Sequence, residues 1–229
     1  MPSPLVMRRR ASSGGTAHTI SLVGSVTAPF GGSPTGGVAT FNVTPEAVGD
    51  VIVLGITGNA GSVTAVSGGS VSTWTISALY NDTTHNGLTA IAWGEVTGTV
   101  GSAVSTSVTT TQAAITVLEG EFSVSGIASP TWSVDVESTA GDPLVHTTDA
   151  NLPLQSVTAS GSGELYLASV QTTYNNLTGG ASSPVLGYAP GRSGFYYALN
   201  VSGTIAATVT STASTGDYYD SGVVLLKVA

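Results

Sequence analysis

The sequence predicts an all-β protein, an antiparallel β-sandwich of jelly-roll-like type. Three observations predict it. Short runs of alternating apolar character recur along the whole 229 residues, broken by Gly, Pro, Asn and Asp. The stretch from Ser102 to Glu119, which has no Gly or Pro and is the best place for a helix, is crowded with Val, Thr and Ile instead. Finally, Val51-Ile52-Val53-Leu54-Gly55-Ile56-Thr57 is apolar on both faces, the pattern of a strand buried between layers.

Residues 1–10 carry two prolines, the apolar Leu5, Val6 and Met7, and Arg8, Arg9 and Arg10, and read as an extended docking arm. A first strand is expected from His18 to Thr27 with Ile20 and Leu22 inward. After a glycine-rich loop, Val38–Val43 forms a second, and Thr44–Ala47 makes at most one helical turn. In the central run, Ile52, Leu54 and Ile56 share one face, and a second central strand of the same chain is expected opposite them. Val51, Val53 and Gly55 share the other face, whose expected cover is the 11–45 segment or a neighbouring subunit.

Gly68-Gly69-Ser70 predicts a hairpin between Val63–Val66 and Val71–Leu79, with Trp74, Ile76 and Ala78 on a core-facing side. The polar loop Tyr80–Gly87 leads to the strand Leu88–Val96. Two more strands follow, the second running through Leu118 to Val124, with a bulge expected near Val117-Leu118 where alternation slips. Asp142–Pro153 is irregular, and strand pattern resumes at Gln155–Ala159. Gly163-Glu164-Leu165-Tyr166-Leu167-Ala168-Ser169-Val170 then repeats the character of Gly49–Ile56 and predicts the second central strand. Strands at Val185–Tyr188, Phe195–Val201, Ile205–Thr210 and Val223–Val228 complete the chain. Residues 11–229 therefore read as a single β-sandwich domain, and the final strand argues against a further domain downstream.

Charged residues are 8% of the chain, far below the usual quarter, and the net charge is −8. Beyond residue 10 the only cations are Arg192 and Lys227, a balance that argues against nucleic acid or an anionic membrane as a partner of the folded body. No apolar run approaches the length of a membrane span, and the polar residues after Arg10 do not form the core of an export signal. Cysteine is absent, which removes thiol catalysis and disulfides.

Enzymatic chemistry finds little support. Asp82 and His85 share a loop, but no Gly-x-Ser-x-Gly elbow accompanies them. Glu119 with Glu121, and Asp135 with Glu137, project from one strand face each, at a spacing common in solvated strands. His18, His85 and His146 show no zinc spacing. The pairs Asp142/Asp149 and Asp217/Asp220 lack the density of a calcium loop, so no metal or cofactor is expected. The aromatic loops are the best contact candidates: Tyr80 with Asp82 and His85, Tyr174 with Asn175 and Asn176, and the pair Tyr218 and Tyr219. They combine rings with amides and carboxylates, a mixture suited to a glycan or a protein partner.

Several short elements together resemble a group of β-sandwich domains in phage minor tail proteins of actinobacterial hosts. They are Thr16–Leu22, Gly49–Leu54, Val63–Gly68 leading to Ser72–Thr75, Ile91-Ala92-Trp93, Glu121–Gly126 and Gly163–Leu167. The chain departs from the group in a long insert between Ile20 and Asp50 and in the turn before Trp74. The resemblance implies a non-enzymatic virion structural protein, assembled in the host cytoplasm with other virion proteins and copies of itself. A capsid decoration protein and an extracellular carbohydrate-binding module are the alternatives.

Overall fold

The computed structural model describes residues 18–138, 151–173, 176–181, 186–212 and 218–229, and among them has no helix. The docking arm, residues 1–10, lies outside the described residues, as does most of the irregular 142–153 stretch. The first half supplies β1 (Thr19–Gly32), β2 (Val38–Val43), β3 (Val51–Gly58), β4 (Val63–Gly68), β5 (Thr75–Asp82), β6 (Gly87–Glu95), β7 (Val104–Thr110) and β8 (Ile115–Ser125). The second supplies β9 (Trp132–Ser138), β10 (Asn151–Pro153), β11 (Val157–Thr172), β12 (Leu177–Ala181), β13 (Leu186–Tyr188), β14 (Ser193–Ile205), β15 (Thr208–Ser211) and β16 (Tyr219–Val228).

All pairings between these strands are antiparallel, so the predicted all-β sandwich architecture is present. The two halves repeat one winding. The first makes a sheet in the order β1-β8-β3-β6-β5 and a smaller one, β2-β7-β4. The second makes β9-β16-β11-β14-β13 and β10-β15-β12, each label raised by eight. In both, the fifth strand lies beside the sixth at the edge of the larger sheet, whereas a closed eight-stranded jelly roll would pass it to the smaller one. The described residues stack four sheets with three cores between them.

The two larger sheets face each other at the centre. β3 lies over β11, β6 over β11 and β16, β5 over β16 and β9, and β1 over β14. This order relates the halves by an approximate two-fold axis running between β3 and β11. The middle core joins Val51, Val53, Ile91, Trp93 and Phe122 to Leu165, Leu167, Phe195, Tyr197, Val224 and Leu226. Gly55 permits the close approach: a Cβ there would sit 2.7 Å from the ring of Phe195. Trp93 and Trp132 are buried with their indole N–H groups satisfied, donating to Ser77 Oγ at 3.3 Å and Gly49 O at 3.1 Å. At one end of the interface Asn200 clamps β1, accepting from Ile20 N at 2.7 Å and donating to Ile20 O at 2.9 Å.

Both faces of β3 are therefore dry, but their covers are exchanged relative to the sequence reading. Ile52, Leu54 and Ile56 pack against the small β2-β7-β4 sheet through Ala39, Phe41 and Val108. The smaller face, Val51 and Val53, meets the second half of the same chain, not residues 11–45 or another subunit. Two-sided burial also explains the expected bulge at Val117-Leu118. β8 pairs with β3 without interruption from Ile115 to Phe122, and the alternation slips because Val117 faces the first-half core while Leu118 faces the middle one. The irregularity lies on the other side of β8, where β1 shifts register between Val23 and Phe30.

β4 and β5 do not form a hairpin, since they belong to different sheets. Ala78 leaves the face of Trp74 and Ile76 for the middle core, at a register shift where its own φ is 48°.

Candidate functional site

β3 and β11 end side by side, so the chain that follows each opens at the same end of the two-fold. Hydrogen bonds across the halves fix that end. Thr57 Oγ1 donates to Ser193 Oγ at 2.7 Å, and Gly58 N donates to Gln171 Oε1 at 2.6 Å. The β5–β6 turn is tied in by Asn86 Oδ1, which accepts from Ala60 N at 3.1 Å, and Asn81 Oδ1, which accepts from Gly61 N at 2.8 Å. Asn86 holds φ 61°, the left-handed conformation that an Asn-Gly turn favours. From the second half, Thr172 N donates to Arg192 O at 2.9 Å and Thr173 N to Tyr218 O at 3.0 Å.

Between these walls lies a cavity of about 590 Å³. Asn59, Asn86 and Gln171 supply amides to it, three threonines supply hydroxyls, and His85, Tyr218 and Arg192 complete the lining. Among the described residues no aliphatic side chain lines it. The rings of His85 and Tyr218 stack with centroids 3.8 Å apart at 20°. His85 is fixed from below, its Nδ1 lying 2.6 Å from Asp82 Oδ2. Asp82 Oδ1 accepts the backbone N–H groups of Thr84 at 2.8 Å and His85 at 3.1 Å, so one buried carboxylate sets the whole turn. Burial alone would raise the Asp82 pKa, but the hydrogen bonds from His85 and Thr84 outweigh it and bring it below the ordinary value.

Asp220, 3% exposed, sits under the same turn beside Gly87, where a Cβ would collide with its Oδ2. Its Oδ1 has no hydrogen-bond partner. Burial first, and then the charge of Asp82, push its pKa up to about 7, with His85 acting in the opposite direction.

The sequence reading placed Asp82, His85 and Tyr218 among contact candidates, and the fold brings these three together. Tyr80 lies back along β5, paired in register with Thr89 and half-buried, and does not line the cavity. Asn176 is exposed nearby, its N–H donating to Thr212 Oγ1 at 3.1 Å. Tyr219 is a correction: strand alternation turns it into the second-half core, 4% exposed, with its hydroxyl donating to Pro153 O at 2.6 Å. Tyr174 and Asn175 lie outside the described residues. Asn59, Gln171 and Arg192 were not singled out from sequence. The similarity of Gly163–Val170 to Gly49–Ile56 was the available signal, because it aligns the ends of the two central strands.

A second group of acids lies inside the first sandwich. Glu121 accepts Glu46 N at 2.9 Å and shares a hydrogen bond with Asp50. Burial, then the hydrogen bond and charge of Glu121, raise the Asp50 pKa to about 7. Burial also raises Glu119, although Thr27 Oγ1 donates to it at 2.9 Å. The Glu119–Glu121 pair predicted on one face does share that face, beside a cavity of about 330 Å³, but Glu121 is engaged internally. Among the described residues no group of three or more His, Asp and Glu is placed to hold a metal ion; His146, Asp142, Asp149 and Asp217 are outside them.

No family model matches the chain, and comparison with curated proteins and with solved structures gives no match.

Proposed function

We propose that the chain is a non-enzymatic structural protein of a phage virion, a minor tail protein that contributes to tail assembly or host-surface contact. The observation that carries this reading is the four-sheet stack with both central strands dry on both faces, a stiff body built with few charges. The short elements that resemble phage tail domains add to it, among them Gly49-Asp50 before β3 and Gly163-Glu164 within β11. In this reading residues 1–10 dock the body onto neighbouring virion proteins, copies of the chain associate as a homo-oligomer, and the polar end is presented outward.

Immunogold labelling of intact particles tests it. Label along or at the tip of the tail is the expected result, label over the head would make the chain a capsid decoration protein, and label on neither would overturn the virion assignment. Deleting residues 1–10 should release the protein from particles while leaving its thermal unfolding unchanged.

The amide-lined cavity favours a second reading, an extracellular carbohydrate-binding module. That module would bind glycan with no particle present.

A further inference from the structure

We propose that the cleft where the two halves meet, between the β5–β6 turn and the ends of β3 and β11, is a binding site for an acidic saccharide. The lining selects the class of ligand. Small-ligand sites are usually walled by apolar side chains with a few polar groups among them. This one, at about 590 Å³, is walled by amides, hydroxyls, an imidazole, a phenol and a guanidinium. An apolar ligand would displace water from those groups without replacing its hydrogen bonds. A ligand with many hydroxyls suits them, because a hydroxyl accepts from an amide NH₂ as readily as it donates to an oxygen. Gln171 illustrates the point: its Oε1 is occupied by Gly58 N, which leaves its NH₂ donors for a ligand.

Among the described residues the stacked His85–Tyr218 pair supplies the broad flat surface of the cleft. It is rigid before any ligand arrives, since Asp82 holds the imidazole and Thr173 N holds the backbone of Tyr218. The C–H face of a sugar ring can lie against it, with the phenol as a polar rim.

Arg192 selects for the acid. Only two cations occur among the described residues, and Lys227 is paired with Asp135 at 3.0 Å on another part of the molecule. Arg192 is exposed at the cleft and has no ion pair among the described residues. Of the negative groups beneath, Asp82 is bound to His85, and Asp220 is buried and does not line the cleft. A guanidinium with free donors next to three amides suits the carboxylate of a uronic acid or the phosphate of a phosphosugar, both of which accept paired N–H donors.

This inference deepens the host-contact part of the proposed function and names the chemistry it would read. Its test uses purified full-length protein, so failure here leaves the particle location untouched, and absence from particles leaves the binding result standing. Isothermal titration would compare a glucuronic-acid-containing oligosaccharide, the same oligosaccharide reduced at its carboxyl groups, and a phosphosugar of similar length. The expected result is that at least one acidic probe binds about tenfold or more tightly than the neutral one. Arg192→Gln, at an exposed position, should equalise acidic and neutral probes, and Tyr218→Ala should weaken both while Tyr218→Phe retains them. Equal binding of acidic and neutral probes by the unmodified protein, an acid preference that survives Arg192→Gln, or binding of no probe would overturn the proposal.

Discussion

The two halves wind identically, yet they treat the carboxylate that receives the chain just before their central buried runs differently. Asp50 immediately precedes β3, and Glu164 lies within β11 at the register shift where its buried central run begins, at matching places in the two-fold. In each half the backbone N–H four residues earlier is received by a carboxylate: Glu46 N by Glu121, and Ser160 N by Asp135. In the second half a cation answers that carboxylate, Lys227 Nζ lying 3.0 Å from Asp135 Oδ1. Asp135 is accordingly held well below the usual carboxylate range, first by the Ser160 hydroxyl and amide and then by Lys227. The first half has Ser123 at the position of Lys227. There Asp50 lies against Glu121, and burial first, then the hydrogen bond and charge of Glu121, raise its pKa to about 7. The same scaffold thus keeps a carboxylate ionised where a hydroxyl, an amide and a cation converge on it, and favours its protonated form where it is buried against a second carboxylate. Where the second half places Val223 and Leu225, the first places Glu119 and Glu121, so its core is acidic at one end.

The comparison presumes that the halves share one middle core, and the largest expected effect tests that premise. Phe195 is fully buried between Gly55 and its neighbours in the middle core. Phe195→Ala should cost about 3–5 kcal/mol and lower the melting temperature by roughly 10 °C. Calorimetry should show a single transition shifted as a whole. If one half melted at its original temperature while the other fell, the halves would be independent sandwiches and the shared core would not be what couples them.

An intermediate effect concerns the protons. Asp50 and Asp220 both have folded pKa values raised from 3.8 to about 7, so both are bound to protons more readily in the folded state. Their contribution to stability is complete below about pH 4 and is lost as pH rises through 7. Asp50→Asn and Asp220→Asn should therefore match the unmodified protein near pH 4 and exceed it at pH 8. The gain is on the order of 1 kcal/mol each, discounted for partial solvation. Urea unfolding at the two pH values measures it. The effects should add, because the residues sit at different sites with no shared partner. A variant less stable than the parent at pH 8 would show that the carboxylate, not the carboxylic acid, is the form the fold selects.

How much of this was legible in the sequence depends on which interactions are local. Strand character, the polar turn at Asp82–His85 and the similarity of Gly49–Ile56 to Gly163–Val170 are carried by neighbouring residues, and the sequence displays them. A strand apolar on both faces announces two covers without saying which segments provide them, since period two records burial and not partners. This is why Val117-Leu118 reads as a bulge when both residues are simply buried on opposite sides. It is also why Arg192, a lone cation in a loop, gives no sign that it stands beside His85 and Tyr218. Tyr218 and Tyr219 look alike in sequence, and only the direction each takes from the strand separates a cleft residue from a core one.

The smallest expected effect sharpens the contrast between the halves. Lys227 is exposed, and an exposed ion pair contributes little, so Lys227→Met should change stability by less than about 1 kcal/mol. Its electrostatic consequence is more informative than its energy. The Ser160 hydroxyl and amide precede Lys227 among the causes of the low Asp135 pKa, so Asp135 should remain ionised at neutral pH after the substitution. Glu164, already raised by burial and by Asp135, loses an opposing charge and should move further up. Carboxyl titration by NMR would follow both groups. If Glu164 rises while Asp135 stays low, the variant brings the second half toward the arrangement of the first, with a proton held at the entrance to the central strand. If Asp135 instead returns to its ordinary value, the lysine and not the serine sets the difference between the halves.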